Sequence, residues 1–445
     1  MSRPSPGRAA SLPRLTGRGG TLVVVGVVLV AVALWFDLRD VLLLAFAAIA
    51  VPLAALAFVG VRMPQLAVRR AFTPHVGSAG STVEVRVEVR NRSSRTLDGA
   101  MWSDTAPSAM HTPPEAVLPA LGAHERIAPR GDDLARLSYR MPTPWRGVFA
   151  IGPLRVTTTD PFGLARAMRP VDGAHELVVT PRVTRLDPMT GTGASLDGVL
   201  HGLQRRTHPN SDEFIAREYR YGDPLRRVNW PATARRGELM VRDEEQRGDP
   251  EARILVDAGP GGVARTGDGA RHAGFELAIE LVASIGVHLL GQGFRLRVDR
   301  VADPTRGAVD TGATAGYRMP GGDRVLLEDL ARLEAEDRGH ARAVGGGGGP
   351  VAAAGTPVEG RMPGYAVLVD PDASDVAQLV ALRPALSPAV AFVLESVRPS
   401  MVRLLEDADW QVTRVRRAAD IADAWAGIGG TRGRTRTNGG GSDAS

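Results

Sequence analysis

Two apolar runs near the start of the chain constrain it more than any other feature of its 445 residues. Thr21 to Phe36 carries no charge, Asp37-Leu38-Arg39-Asp40 interrupts, and Val41 to Val61 continues with one internal proline, Pro52. Each run approaches the ~20 residues a helix needs to cross hydrocarbon, where only helices and closed barrels satisfy every backbone group. The first run could also be read as a secretory leader, since Ala31-Val32-Ala33 supplies the small residues of a cleavage site. A second run after so short a break favours a transmembrane helical hairpin over residues 21–61. Arg3, Arg8, Arg14 and Arg18 precede it, and Arg62, Arg69 and Arg70 follow it. By the positive-inside rule, both ends lie on the cytoplasmic side of the inner (plasma) membrane, and the remainder of the chain is cytoplasmic. Residues 1–20, rich in Arg, Pro and Gly and without an acid, read as a disordered basic tail.

Composition removes several chemistries. The chain has no cysteine, which excludes disulfides, thiolate catalysis and cysteine-bound metal, and no lysine, which excludes a phosphate-loop lysine and Schiff-base chemistry. The net charge of +5 comes from 54 basic residues interleaved with 49 acidic ones. Interleaving does not build the one-sided basic face that nucleic acid requires, so no nucleic-acid partner is expected. The nine histidines are scattered, with no HExxH pair for zinc, and no GxSxG elbow occurs. No cofactor is called for.

After the hairpin, Val83, Val85, Val87 and Val89 alternate with Glu84, Arg86, Glu88 and Arg90, the signature of a half-buried strand in an antiparallel sheet. Further strands are predicted over 100–104, 135–140, 148–151, 154–159 and 177–180, which together make a small β-sandwich spanning residues 72–185. Residues 186–212 read as a linker. From 254 onward short apolar strands alternate with helical patterns, at 254–257, 275–290, 294–298, 325–333, 366–369, 374–382, 391–394, 398–406 and 411–415. That βα rhythm predicts a parallel sheet with helices on both faces within residues 213–426. A stretch with five consecutive glycines, 343–363, reads as a mobile insertion, and 427–445 as a disordered tail.

Glu213 to Gln246 is the densest polar stretch, with seven acids and seven arginines around Trp230. Asp223-Pro224 has the form of a helix N-cap followed by proline at the first helical position. Pro231 lacks an N–H and is expected to end or kink that helix, which restarts over 232–236 and stops at Gly237. Tyr219, Tyr221, Val228, Trp230 and Leu239 would be idle in a solvated charge run, so the stretch is expected to pack and Trp230 to be buried. Two roles for its arginines stay open. Arg217, Arg220, Arg226, Arg235 and Arg242 either form a recognition face for an acidic or phosphorylated partner, or pair internally with Glu218, Asp223, Glu238 and Asp243. Geometry favours a split, with Arg217 and Arg242 on flanking strands paired and Arg226, Arg227 and Arg236 on the short helix open.

The order Arg217, Tyr219, Gly222, Asp223, Arg226, Asn229, Trp230, Ala234, Arg235, Leu239, Val241, Arg242 resembles the signature of the bacterial domain-of-unknown-function fifty-eight family. Arg146-Gly147 to Leu154, Asp160-Pro161-Phe162-Gly163-Leu164 and Thr180-Pro181-Arg182-Val183 resemble the family's approach to that signature. Pro231 departs from it. The resemblance implies that the parallel sheet is von Willebrand factor A-like, and that the protein acts with a MoxR-type AAA+ ATPase. Domains of that kind hold Mg²⁺ through Asp-x-Ser-x-Ser after the first strand. Here the position reads Asp257-Ala258-Gly259-Pro260-Gly261, without either hydroxyl, and one carboxylate does not hold a hard cation. Asp370 and Asp372, before a helix, complete a weak candidate set with Asp257, although aspartate there usually caps or turns.

The expected protein is therefore a two-helix transmembrane hairpin followed by a small β-sandwich and an α/β parallel-sheet, von Willebrand factor A-like domain. Its expected role is that of a non-enzymatic scaffold or adaptor working with the ATPase on envelope-associated complexes. The partner surface is assigned to Arg217, Tyr219, Gly222, Asp223, Arg226, Arg227, Asn229, Trp230, Arg235, Arg236 and Arg242. A hydrolase of envelope precursors and a binder of anionic lipid or nucleic acid are the alternatives. Reporter fusions after Gly20 and after Arg70 are expected to be active only in cytoplasmic form; periplasmic activity from the second would overturn the orientation.

Overall fold

The computed structural model describes residues 12–62, 64–108, 110–124, 131–187, 216–219, 228, 230–242, 250–257, 272–301, 316–334 and 362–429. They belong to two compact units, Met1–Thr180 and Pro181–Ser445.

The first unit opens with β1 (Arg14–Leu15), α1 (Gly17–Phe36) and α2 (Arg39–Val61). Residues 14–20, expected as tail, are instead a short strand and the first turn of a capped helix, and residues 1–11 of that tail lie outside the described residues. Thr16 is the N-cap, its hydroxyl accepting from the Gly19 amide at 3.2 Å. At the other end Asp37 takes the left-handed conformation, φ 53°, that terminates α1 and turns the chain into α2. The two helices meet through small residues: Gly26, Ala33 and Ala45 are buried, and a Cβ on Gly26 would lie 3.0 Å from the Ala45 carbonyl oxygen. Their outward faces are apolar and exposed, as at Val24, Leu34, Leu43 and Phe46, a pattern that water does not favour and lipid does.

Ten strands follow: β2 (Leu66–Thr73), β3 (Val76–Ser78), β4 (Ser81–Asn91), β5 (Met101–Ser103), β6 (Ala116–Val117), β7 (Leu134–Thr143), β8 (Gly147–Ile151), β9 (Leu154–Thr159), β10 (Ala165–Val171) and β11 (His175–Thr180). They form three sheets in the orders β2-β4-β7, β3-β11-β8 and β1-β10-β9-β5-β6. The alternating valines of β4 point into one core with Phe72, Trp102, Met141, Ile151, Leu154, Leu177 and Val179, drawn from all three sheets. The strands are not purely antiparallel, because β3 runs parallel to β11. Periodicity does not show the short β1, β3 and β6, nor two longer strands. β2 carries Arg69 and Arg70, which read as the charged flank of a membrane helix, and β10 carries Arg166, Arg169 and Pro170, which break the alternation.

Arg70 is the reason β2 belongs inside. Its guanidinium is buried and holds Asp104 with two nitrogens, at 2.8 Å and 3.3 Å, while donating to the Ile151 carbonyl at 3.0 Å. Tyr139 donates its hydroxyl to the same carboxylate at 2.7 Å, and burial together with the Asp104 charge pushes its pKa upward.

In the second unit, β12 (Ala216–Glu218), α3 (Trp230–Arg236) and β13 (Met240–Arg242) precede a parallel sheet. The sheet and its helices are β14 (Glu251–Val256), α4 (Ala273–Gly291), β15 (Arg295–Arg300), α5 (Gly322–Arg332), β16 (Met362–Leu368), α6 (Ala373–Leu382), β17 (Leu386–Leu394), α7 (Pro399–Asp407), β18 (Gln411–Val415) and α8 (Ile421–Ala426). Strand order is β15-β14-β16-β17-β18, all parallel, with an antiparallel bridge from Leu296 to Tyr317 at the outer edge. Neighbouring residues of β14 serve opposite faces: Ile254 and Val256 join a core with α4, α5 and α8, whereas Leu255 joins one with α6 and α7.

α4 is as long and apolar as a membrane span, yet 61% of its apolar window is buried, against 17% in α1 and in α2. It is the central helix of the sheet's face. Leu186, expected as linker, is buried in this core, and the Trp425 indole donates to the carbonyl of exposed Asp187 at 3.2 Å. The rest of that linker lies outside the described residues, as does the glycine-rich insertion up to 361; Met362 and Pro363 already belong to β16.

Replacing Arg70 with Met is expected to destabilise the first unit by about 3–5 kcal/mol, because Asp104 is left buried and uncompensated. Adding Asp104→Leu should recover much of that loss. Denaturation of the full chain in detergent reads both, and equal losses for the single and double variants would show that the pair is not the cause.

Candidate functional site

Two places bring the singled-out residues together: the hairpin β12–β13 with its helix, and the carboxyl ends of the parallel strands.

In the hairpin, Ala216 faces Arg242, Arg217 faces Val241 and Glu218 faces Met240 across the antiparallel pair, and the Tyr219 amide extends it to the Leu239 carbonyl at 2.8 Å. Thr233 ties α3 to this ladder. Its carbonyl accepts from Gly237 at 2.8 Å and its hydroxyl accepts from the Met240 amide at 3.0 Å. Gly237, at φ +76°, provides the left-handed stop that reverses the chain from helix to strand. Pro231 does not kink a helix. α3 begins at Trp230, so the proline sits in the first turn, where its missing N–H costs nothing.

Val228 and Met240 supply the burial that the stretch was expected to need, with Met240 at 1% exposure. Trp230 does not. It is 66% exposed, and the expectation that it is a core residue is wrong. The reason is local geometry. A seven-residue helix has one side to give to the hairpin, Thr233 takes it, and a side chain at the first helical position points back beyond the helix start. Leu239, at 43% exposure, and the exposed Arg235 and Arg236 accompany it. Among the described residues neither arginine has an acidic partner. Arg217 and Arg242 occupy the paired strands. Gly222, Asp223, Arg226, Arg227 and Asn229, with the expected helix from Pro224, lie outside the described residues.

At the sheet, the order places a topological switch point between β14 and β16, where ligands of open parallel sheets bind. Asp257, the residue after β14, stands there at 4% exposure. One oxygen of its carboxylate accepts from two amides just past β16, Val369 at 3.1 Å and Asp370 at 2.7 Å, while its own amide donates to Val367 at 2.9 Å. Asp257 and Asp370 are thus neighbours, joined through the backbone. Asp372 caps α6: its carboxylate accepts from the Ser374 and Asp375 amides at 2.8 Å and 3.0 Å, and Asp375 returns the bond to the Asp372 amide at 2.9 Å. Ser396 donates to the Val369 carbonyl and Arg398 to that of Pro371, closing the same strand end. Among the described residues no three side chains of the metal-binding types converge. The described carboxylates at the switch point therefore act first as acceptors for backbone N–H groups.

Sequence reasoning missed Thr233, which no motif marks, and Thr16, which a search for hydroxyl residues ahead of the first apolar run would have found.

The family whose description is "Protein of unknown function DUF58" matches residues 215–306, a span containing the hairpin, β14, Asp257, α4 and β15. No curated protein matches the chain. Among solved structures, the CARDB domain of a Pyrococcus furiosus protein is similar at 13% identity with a TM-score of 0.19, covering 26% of this chain and 96% of that one. A GH20 exo β-N-acetylglucosaminidase from Vibrio harveyi is similar at 8% identity and TM-score 0.16, over 82% of this chain and 74% of that one. Overlaps this weak carry no inference about fold or activity.

Asp257→Ala removes the acceptor of two buried amides and is expected to cost about 2–4 kcal/mol, with Asp257→Asn costing less because one acceptor oxygen remains. Thermal unfolding of the full chain measures it, and a neutral Asp257→Ala would remove the strand-end role.

Proposed function

We propose, from the premise that residues 215–306 belong to the family described as protein of unknown function DUF58, that this chain is a membrane-anchored, non-enzymatic adaptor that docks a partner through its signature hairpin. The observation that carries the reading is the exposure of Trp230, Arg235 and Arg236 on a short helix fastened by Thr233, with exposed Leu239 following it. Tryptophan and arginine are the residues in which binding energy concentrates, and a pinned scaffold lowers the entropy of ordering them. A tryptophan left two-thirds in water by its own fold is an anchor awaiting a surface.

The partner implied by family resemblance is a MoxR-type AAA+ ATPase, with arginines on this face meeting acidic groups on it. The arginines before α1 and after α2 support a cytoplasmic orientation for both units, with the hairpin of α1 and α2 crossing the inner membrane twice. The all-parallel sheet with helices on both faces supports the von Willebrand factor A-like reading. The hydrolase alternative draws no support from Asp257 and Asp372, whose carboxylates are engaged by backbone amides.

Trp230→Ala is expected to change stability by no more than about 0.5 kcal/mol, as for other surface positions, while weakening partner capture by about 2 kcal/mol or more. A pull-down from solubilised membranes with and without ATP, beside a thermal melt of the same variant, measures both. Unchanged capture would sink the docking role of this face.

A further inference from the structure

α2 has two unlike faces over its last turns. Ala55 and Val59 are buried against Leu164, Ala165 and Ala167 of the sandwich unit, and the Arg169 guanidinium closes the helix by donating to the Gly60 and Val59 carbonyls at 3.0 Å and 3.3 Å. The opposite stripe, Ala54, Ala57, Phe58 and Val61, lies at helical spacing i, i+3, i+4, i+7 and is exposed. It lines an open groove of about 340 Å³ whose remaining walls are Arg62 and Arg95.

These two arginines come from unrelated segments. Arg62 follows the helix directly, its guanidinium carbon 4.6 Å from the centre of the Phe58 ring. Arg95 is delivered by the turn after β4. That turn is fixed by Asn91, fully buried, whose amide nitrogen donates to the Arg95 and Gly122 carbonyls at 2.7 Å and 2.8 Å and whose oxygen accepts from the Ser93 amide at 3.0 Å. Among the described residues neither arginine has an acidic partner. The arrangement is an apolar track on a membrane-length helix that ends in two cations without an acidic partner among the described residues, the backbone of one of them fixed by a buried asparagine.

We propose that this groove binds one phospholipid with a net anionic headgroup, its acyl chain along Ala54, Ala57, Phe58 and Val61 and its phosphate between Arg62 and Arg95. A bilayer lipid is the occupant that matches both features at once, since the stripe continues the apolar exposed surface of α2 and the cations stand where hydrocarbon gives way to headgroups. The inference rests on membrane anchoring by α1 and α2, and is independent of the partner surface at Trp230.

The full chain, reconstituted in vesicles of equal phosphatidylglycerol and phosphatidylcholine and released for native mass spectrometry, should retain one phosphatidylglycerol in preference to phosphatidylcholine. Each arginine near an anionic surface contributes roughly fivefold, so R62Q/R95Q should reduce that preference roughly twenty-five-fold. Arg69→Gln, an exposed cation outside the groove, should leave it unchanged, and Ala57→Trp, which fills the groove with both cations intact, should abolish retention. Equal retention of the two lipids, displacement of the lipid by millimolar inorganic phosphate, or a preference that survives R62Q/R95Q would overturn the proposal. So would a change of oligomeric state in that variant with lipid content unaltered, which would mean that a second copy occupies the groove. Carbonate extraction of the same membranes reads anchoring separately, so loss of lipid selectivity with the protein still in the membrane pellet counts against the groove alone.

Discussion

A helix end leaves backbone groups without partners, and the first unit is organised by how two such ends are closed. The start of α1 and the end of α2 are both met by the segment around β10. Thr16 donates its amide to the Leu164 carbonyl at 2.8 Å and its hydroxyl to that of Gly163 at 2.6 Å, and Gly19 lies so close to the Leu164 carbonyl that no Cβ fits. Arg169 serves the last carbonyls of α2. The Gly163-Leu164 turn is itself set by Asp160, a buried carboxylate that accepts from the Phe162 and Ala165 amides at 2.9 Å and 2.5 Å. The chain thus fastens both ends of its apolar hairpin to its sandwich.

The second unit repeats the device with other residues. Asp257 gathers the amides that follow β16, Asp372 closes the start of α6, and Thr233 fastens α3 to β13. In each case a short polar side chain satisfies donors that the regular ladder cannot, which is why Asp and Thr dominate at these joints. The hairpin differs in one respect. Its fastening faces inward and leaves the tryptophan outward, so rigidity and exposure arise from the same short helix.

Much of this was legible before the fold. The two apolar runs, the valine alternation of β4 and the βα rhythm after residue 254 each bury a face that periodicity records, and their elements stand within a few residues of where periodicity puts them. The motif with Asp160 and Gly163 was visible as a motif, but its role in holding a helix start was not, because the residue it serves, Thr16, is 147 positions from Gly163. Trp230 was misread for a related reason. Composition says that tryptophan favours burial, and only the length of α3 and the direction of its first side chain decide otherwise.

By itself the sequence determined most of the segments that are helix, strand or membrane-length, because those properties follow from the order of apolar and polar residues within a few turns. Tertiary structure alone decided which charges would be buried, as with Arg70 against Asp104, and which would have no acidic partner among the described residues, as with Arg62 and Arg95. It also decided that α4, apolar enough for lipid, lies instead within the core of a sheet. The physical reason is that burial and charge compensation are relations between residues distant in the chain, and no local pattern encodes the partner.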